Sequence, residues 1–197
     1  APDAIHAREG FVRADKKHTH LRDNIPDDVF HEKENLQLFH ERITKLILHC
    51  REEKENLDFF RGYLVHLLTD ELFVLSIRRE FTEKMKELGI ASEDKEYYVN
   101  IVTDMNRNDF LLVENYEGIE EIKNHLEKVE DVAIGELLSR QEVHTSRIWV
   151  MNQYFSKPIR VEQPVYITYD RMLDFIHRAA EDIAFRLAGR GNLPKIL

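Results

Sequence analysis

The chain has 197 residues, 43% hydrophobic and 33% charged, the proportions of one globular domain with a sizeable core. Its net charge of −9 excludes general affinity for nucleic acid or an anionic membrane surface. The single cysteine, Cys50, excludes an internal disulfide and points to a reducing, cytoplasmic setting, while 7 glycines and 5 prolines favour long helices over a turn-rich β architecture.

The chain opens on Ala1-Pro2-Asp3 without a methionine, so we expect a further segment to precede it. From Ala1 to Pro26 there is no sustained 3.6-residue apolar period. Asp3, His6, Arg8, Arg13, Asp15, Lys16, Lys17, His18 and His20 crowd there, and the stretch reads as a polar loop lying over a site. From Asn35 to Cys50, Leu36, Phe39, Ile43, Leu46, Ile47 and Cys50 recur at helical spacing, with His40 on the same face as a core histidine. Arg51 to Asn56 is a charged connection. A long helix is expected from Leu57 to Leu88, stopped by Gly89. Gly62 inside it costs about 1 kcal/mol relative to alanine, which a close helix or ligand contact there explains.

Ser92, followed by Glu93 and Asp94, reads as the N-cap of a helix with Tyr98, Ile101, Val102, Met105 and Leu112 on one side and Asp109 in the same series. Glu117 to Val129 is a short amphipathic helix through Ile119, Ile122 and Leu126. Val132 to Phe155 is another, with Leu137, His144, Ile148, Met151 and Phe155 in line. Pro158 and Pro164, around alternating Ile159, Val161, Val165 and Ile167, mark Ser156 to Thr168 as an extended arm or small hairpin. The last helix runs from Tyr169 to Ala188 with Leu173, Ile176, Ala180, Ile183 and Leu187 inward, ended by Gly189. No repeat or low-complexity tract occurs, and no apolar run approaches the roughly 18 residues of a membrane span. The expected fold is all-α: residues 1–197 as a single-domain bundle of about five or six helices, with a polar N-terminal loop and a short extended arm before the last helix.

Ten histidines is a high count for this length. In Gly62-Tyr63-Leu64-Val65-His66-Leu67-Leu68-Thr69-Asp70, His66 and Asp70 stand one helical turn apart on a face shared with Phe59, Tyr63, Phe73 and Ile77. A carboxylate among aromatic rings is costly without a partner. That partner is either a divalent metal held by both side chains or the histidine itself in a buried hydrogen bond. Asp3 and His20 supply two more ligands, and two histidines with two carboxylates close a first-row metal site such as zinc or leave one position open for an activated water. Asp3 is then the candidate general base, and Arg13, Lys16 and Lys17 are the cations to meet a small anionic substrate. Asp109, also in an apolar series, either bonds a backbone group or supports a ligand from behind. His6 and His18, and the pair His177 and Glu181 on the last helix, are further ligand candidates. Gly-rich phosphate loops, a Gly-x-Ser-x-Gly elbow and a Cys–His context are absent, and no His-Asp dipeptide of the helical phosphohydrolases occurs.

Ala1-Pro2-Asp3-Ala4-Ile5-His6-Ala7-Arg8, Asp15-Lys16-Lys17-His18-Thr19-His20-Leu21 and Gly62 to Asp70 together resemble the zinc-dependent phospholipase C-like family, closest to its shorter bacterial members. The resemblance covers mainly the first 70 residues. It implies an all-α fold, and zinc bound by Asp3, His20, His66 and Asp70. The characterised enzymes of that family cleave phosphodiesters of phospholipid head groups with three zinc ions. They also use their N-terminal residue and an early histidine. A later histidine falls where this chain has Ser76, Arg78 and Arg79, and their His-x-x-x-Glu comes much sooner than His177 and Glu181. One zinc is therefore expected, with two or three as alternatives. The expected function is a metal-dependent hydrolase whose zinc-activated water attacks a phosphate ester or phosphodiester. The alternative is a non-catalytic helical binding or scaffold protein with a structural metal or His/Asp cluster. The sequence carries no signal for an oligomeric state.

Overall fold

A computed structural model describes residues 2–52, 56–156, 160–191 and 193, and the side chains of all of these except 50–52. The inward side chain expected of Cys50, the Glu53-Lys54-Glu55 part of the charged connection, and Pro158 and Ile159 of the arm lie outside the described residues. The fold is all-α. Among the described residues there are eight α-helices and no strand, one isolated antiparallel bridge joining Ile134 to Leu138. None of these helices is long and apolar enough to cross a membrane.

The helices are α1 (Arg13–Thr19), α2 (Lys33–Glu52), α3 (Leu57–Phe73), α4 (Arg79–Glu87), α5 (Lys95–Asn115), α6 (Ile119–Lys128), α7 (Arg140–Phe155) and α8 (Tyr169–Leu187), with a 3₁₀ turn over Pro2–Ala7. They form two compact units. The first comprises Ala1–Asp70, Glu130–Trp149 and Ala180–Leu197, the second Glu71–Val129 and Val150–Ala179.

In the first unit the opening segment is more ordered than a loop. Pro2, Ala4 and Ile5 are buried beneath the 3₁₀ turn, and Thr19 and His20 are buried at the end of α1. A sparse set of apolar residues spaced for two short turns leaves no long period to detect. Asp15 begins α1 by accepting the Val12 N–H at 2.9 Å. Around these turns Ile25, Phe30, Phe39, Ile43 and Ile47, with Tyr63, Leu64, Leu67 and Leu68 of α3, are closed to solvent. At about 1.5–3 kcal/mol for each large side chain, that burial dominates the stability of the unit. Phe30 meets Phe39 edge-on at 5.2 Å and carries the Arg22 guanidinium over its ring, 4.0 Å from the centroid. His40 is only half-buried, beside a face of α2 that is open to solvent.

Helix α7 starts at Arg140, not Val132. Gly135 takes φ +43, and Ser139 and Glu142 form a capping box: the Glu142 N–H donates to Ser139 Oγ at 3.2 Å and the Ser139 N–H to Glu142 Oε2 at 2.6 Å. Glu142 and Val143 are the buried residues of α7, whereas His144 and Ile148, expected inward, are exposed. Arg8 accounts for the difference, because its Nε donates to Glu142 Oε1 at 2.6 Å and draws that turn inward.

In the second unit the helix expected to continue to Leu88 is interrupted by a π turn over Val74–Arg78. Ser76 Oγ donates to the Leu72 carbonyl at 2.6 Å inside it, a bond that competes with the regular ladder. Helix α4 then ends at Gly89, where φ of +77 suits glycine alone, with Gly89 N bonded to Lys86 O and Ile90 N to Met85 O. The N-cap position of α5 is Asp94 rather than Ser92. Its buried face is Ile101, Asp104, Asn108 and Leu111, while Tyr98 and Val102, expected inward, are exposed.

Asp104 is why the face is turned. Its carboxylate, 1% exposed, accepts the N–H groups of Val165 at 2.8 Å, Tyr166 at 2.5 Å and Ile167 at 2.8 Å. Asn108 donates to Ile167 O at 2.8 Å. The extended arm is thus held by two polar residues on α5 rather than by strand pairing. Helix α6 has no buried residue. On α8 Ile183 is buried as expected, but Met172, Phe175 and Ala179 are buried in place of Leu173, Ile176 and Ala180, of which Ile176 and Ala180 face solvent.

Candidate metal centre

The first unit brings Asp3, Lys16, His20, His66 and Asp70 together, and the end of α1 sets the geometry. His20 is the C-cap of α1, and the next residue, Leu21, takes φ +56, a left-handed conformation usual for glycine at this position. The Leu21 N–H donates to His18 O at 3.0 Å and the Arg22 N–H to Lys17 O at 2.8 Å, the paired bonds of a Schellman end. Arg42 fixes the turn from outside by donating to Leu21 O at 2.9 Å. A non-glycine residue held there is locally strained, and the strained turn directs the His20 ring inward.

His20 is 3% exposed in its side chain. Its Nδ1 lies 2.8 Å from the Lys16 carbonyl, which only accepts, so Nδ1 carries the proton. In the neutral ring Nε2 is then an unprotonated lone pair, and it faces the carboxylates. Burial pushes the imidazole pKa down to about 4 against the upward pull of Asp3 and Asp70. The ring is therefore neutral at pH 7, the form a metal requires.

Helix α3 supplies His66 and Asp70. The fully buried positions of this stretch are Tyr63, Leu64, Leu67 and Leu68, so His66 and Asp70 lie at the border of the apolar face rather than within it. The Asp70 side chain is 42% exposed, which corrects the expectation of a carboxylate buried among aromatic rings. The buried acid there is its neighbour Glu71. Gly62 is exposed with nothing near the position of a Cβ, so the close contact expected at this glycine is absent. Tyr63, one turn before His66, donates its hydroxyl to Thr19 O and ties α3 to the end of α1.

Ligand atoms of Asp3, His20 and His66 all lie within 4.8 Å of one another, the one such group of three among the described residues. The two Nε2 atoms are 3.3 Å apart. His20 Nε2 is 3.6 Å from Asp3 Oδ1 and 3.4 Å from Asp70 Oδ2, and His66 Nε2 is 3.4 Å from Asp3 Oδ2 and 3.7 Å from Asp70 Oδ2. Asp70 thus joins the group through both histidines. These spacings are at or beyond the long limit of hydrogen bonds. A tetrahedron with metal–ligand bonds of about 2.0–2.1 Å has edges of about 3.3–3.4 Å, so the two imidazoles with one Asp3 oxygen are spaced for a zinc-sized ion, and Asp70 stands beside both imidazoles.

Asp3 Oδ1 adds a second observation. It is shut from solvent, although its side chain as a whole is half-exposed. Lys16 Nζ stands 2.7 Å from it as its close partner. Burial pushes the Asp3 carboxyl up, but the Lys16 ammonium, followed by the two imidazoles, outweighs it and holds the pKa below the usual range.

The other expected site residues are not in the group of three. His6 Nδ1 is 3.9 Å from Asp3 Oδ1 but half-exposed, its ring edge-on to Phe11. His18 bonds Asp23 at 3.0 Å. Of the three expected cations only Lys16 faces the group: Arg13 is paired with Asp27 at 2.5 Å, and Lys17 donates to Ile25 O at 3.0 Å. His177 and Glu181 are both exposed on α8. Asp109, in the second unit, accepts the Tyr154 hydroxyl at 3.1 Å, and burial raises its pKa. Its partner is a tyrosine, not a metal ligand. The sequence reading missed Tyr63 as the link to Thr19, although its place one turn before His66 signals it, and missed the Lys16 carbonyl, which no side-chain motif reports. No family model, curated protein or solved structure matches this chain.

Proposed function

We propose that this protein is a metal-dependent hydrolase of phosphate esters or phosphodiesters, with one zinc ion held by Asp3, His20, His66 and Asp70. The observation that carries the reading is the convergence of Asp3, His20 and His66 within 4.8 Å of one another, with Asp70 Oδ2 3.4 and 3.7 Å from the two imidazole Nε2 atoms and the proton of His20 parked on Nδ1. The resemblance of its Pro-Asp, Thr-His-Leu and His-x-x-x-Asp stretches to the zinc-dependent phospholipase C-like family suggests the same metal and the same bond class. A zinc ion there would supply Lewis acidity toward a phosphoryl oxygen and a lowered pKa for water. The remaining work falls to the chain. The Lys16 carbonyl keeps His20 in one tautomer, so its Nε2 lone pair is always presented inward. An Asp3 oxygen not engaged by the ion would be placed to take the proton of an attacking water, since a carboxyl held below its usual pKa range is ionised at neutral pH. The new P–O bond would form as the ester P–O bond breaks, and that proton would leave with the alcohol. The single cysteine fits a reducing, cytoplasmic location.

One observation favours the other reading, a binding protein with a structural cluster: Lys16 already provides a cation at Asp3. Turnover separates the two. With zinc supplied, a panel of phosphomonoesters and phosphodiesters is expected to include a substrate whose cleavage stops on chelation and in Asp70→Asn. No cleavage of any member, with or without metal, would leave the structural reading.

A further inference from the structure

Lys16 has two separate contacts with the ligand group. Its carbonyl accepts the His20 Nδ1–H at 2.8 Å and also the Thr19 hydroxyl at 3.1 Å, while its ammonium lies 2.7 Å from Asp3 Oδ1. The backbone contact is independent of the side chain, but the ammonium occupies the space in front of a ligand oxygen. That oxygen is enclosed and has no other donor. Two carboxylates brought within 3.4–3.7 Å of the imidazole nitrogens need a positive charge among them, and without a metal the nearest one is Lys16. An ammonium and a divalent ion are not accommodated together against one oxygen, because two cations at such a distance repel each other strongly where water is scarce.

We infer that Lys16 is an internal stand-in for the metal, displaced from Asp3 when the ion binds and then free to hold the anion of a substrate at the mouth of the centre. The inference rests on the metal reading above and adds an order of binding to it: metal first, anion second. Before the ion arrives the ammonium is neutralised by Asp3, so the group offers an anion no free cation. Once the carboxylate is committed to the metal, the ammonium is released. Its side chain is 42% exposed, so it can swing outward on its four-carbon stem without unpacking α1. The other basic residues of this segment do not substitute for it, since Arg13 and Lys17 keep their own partners.

The test uses the full chain, zinc and inorganic phosphate. Lys16→Met removes the ammonium, keeps the carbonyl and suits a helix. Lys16→Arg keeps the charge, and circular dichroism verifies folding of both. Zinc affinity of the apo protein, read by competition with a chromophoric chelator, is expected to rise by about tenfold or more in Lys16→Met, because a competing charge is gone. Phosphate, read by calorimetry, is expected to bind zinc-loaded wild type but not the apo protein. It should bind zinc-loaded Lys16→Met at least about tenfold more weakly, with partial recovery in Lys16→Arg. Zinc affinity unchanged or reduced in Lys16→Met overturns the stand-in role while leaving the metal reading intact. Phosphate binding equally to apo and zinc-loaded wild type overturns the order of binding. If neither wild type nor Lys16→Met takes up zinc, the metal reading itself falls, and this inference with it.

Discussion

Asp104→Ala is the sharpest test of how the second unit holds its extended arm. Three backbone N–H groups, those of Val165, Tyr166 and Ile167, converge on one buried carboxylate at 2.5–2.8 Å. Hydrogen bonds to a charged acceptor contribute about 1.5–3 kcal/mol each. Taking the low end, because a freed arm would let water reach its amides, the three sum to about 4–5 kcal/mol. Asp104→Asn retains one oxygen and turns an N–H₂ against at least one N–H, so it should lose about 2–3 kcal/mol. For a chain of this size each kcal/mol lowers Tm by about 2–4 °C, which puts Asp104→Ala roughly 10–15 °C below wild type. Urea denaturation gives the free energies, and hydrogen exchange should show protection lost at the amides of 165, 166 and 167. A loss below about 1 kcal/mol in Asp104→Ala, with those three amides still protected, would mean that the carboxylate does not hold the arm.

Asp131 accepts Arg147 at 2.8 and 2.9 Å and His144 at 2.7 Å, and the Arg147 guanidinium foremost holds its pKa down to about 2. A depressed carboxylate stabilises the fold above its unfolded pKa and stops doing so as pH falls through the folded one, so the gap between wild type and Asp131→Asn, full at pH 7, should close between about pH 4 and pH 2 in a series of melts. Arg8→Ala leaves the buried Glu142 with only its local Ser139 partner and should cost about 2–3 kcal/mol, while a double-mutant cycle with Glu142→Ala should return a coupling of at least about 1 kcal/mol. His66→Ala should lose zinc and become indifferent to chelator, whereas His40→Ala should keep both its zinc and its chelator response. Zinc content and Tm measured together separate the two.

The helices were legible where one apolar stripe stood alone, as on α2, or where a glycine closed the helix, as at Gly89 and Gly189. They were misread where two stripes compete. On α8, Met172, Phe175 and Ala179 run beside Leu173, Ile176 and Ala180, and periodicity does not choose between stripes that are both apolar. On α5 the buried stripe includes Asp104 and Asn108, which a search for apolar period passes over. The inward turn of Glu142 depends on Arg8, 134 residues away, and no local pattern encodes that pairing. At the candidate centre, His66 and Asp70 were legible from their i, i+4 spacing, and Asp3 and His20 from the clustering of ligand types. Which lysine faces them was not, because Arg13, Lys16 and Lys17 are equivalent by type. Only the folded turn hands Lys17 to a carbonyl and Arg13 to Asp27.

Crystals of protein purified without chelator and given zinc, measured on both sides of the zinc absorption edge, would reveal whether one metal ion is held by Asp3, His20, His66 and Asp70. The expected result is a single anomalous peak bonded to His20 Nε2, His66 Nε2 and oxygens of Asp3 and Asp70. No peak at that position, or a peak bonded to other residues, would contradict it.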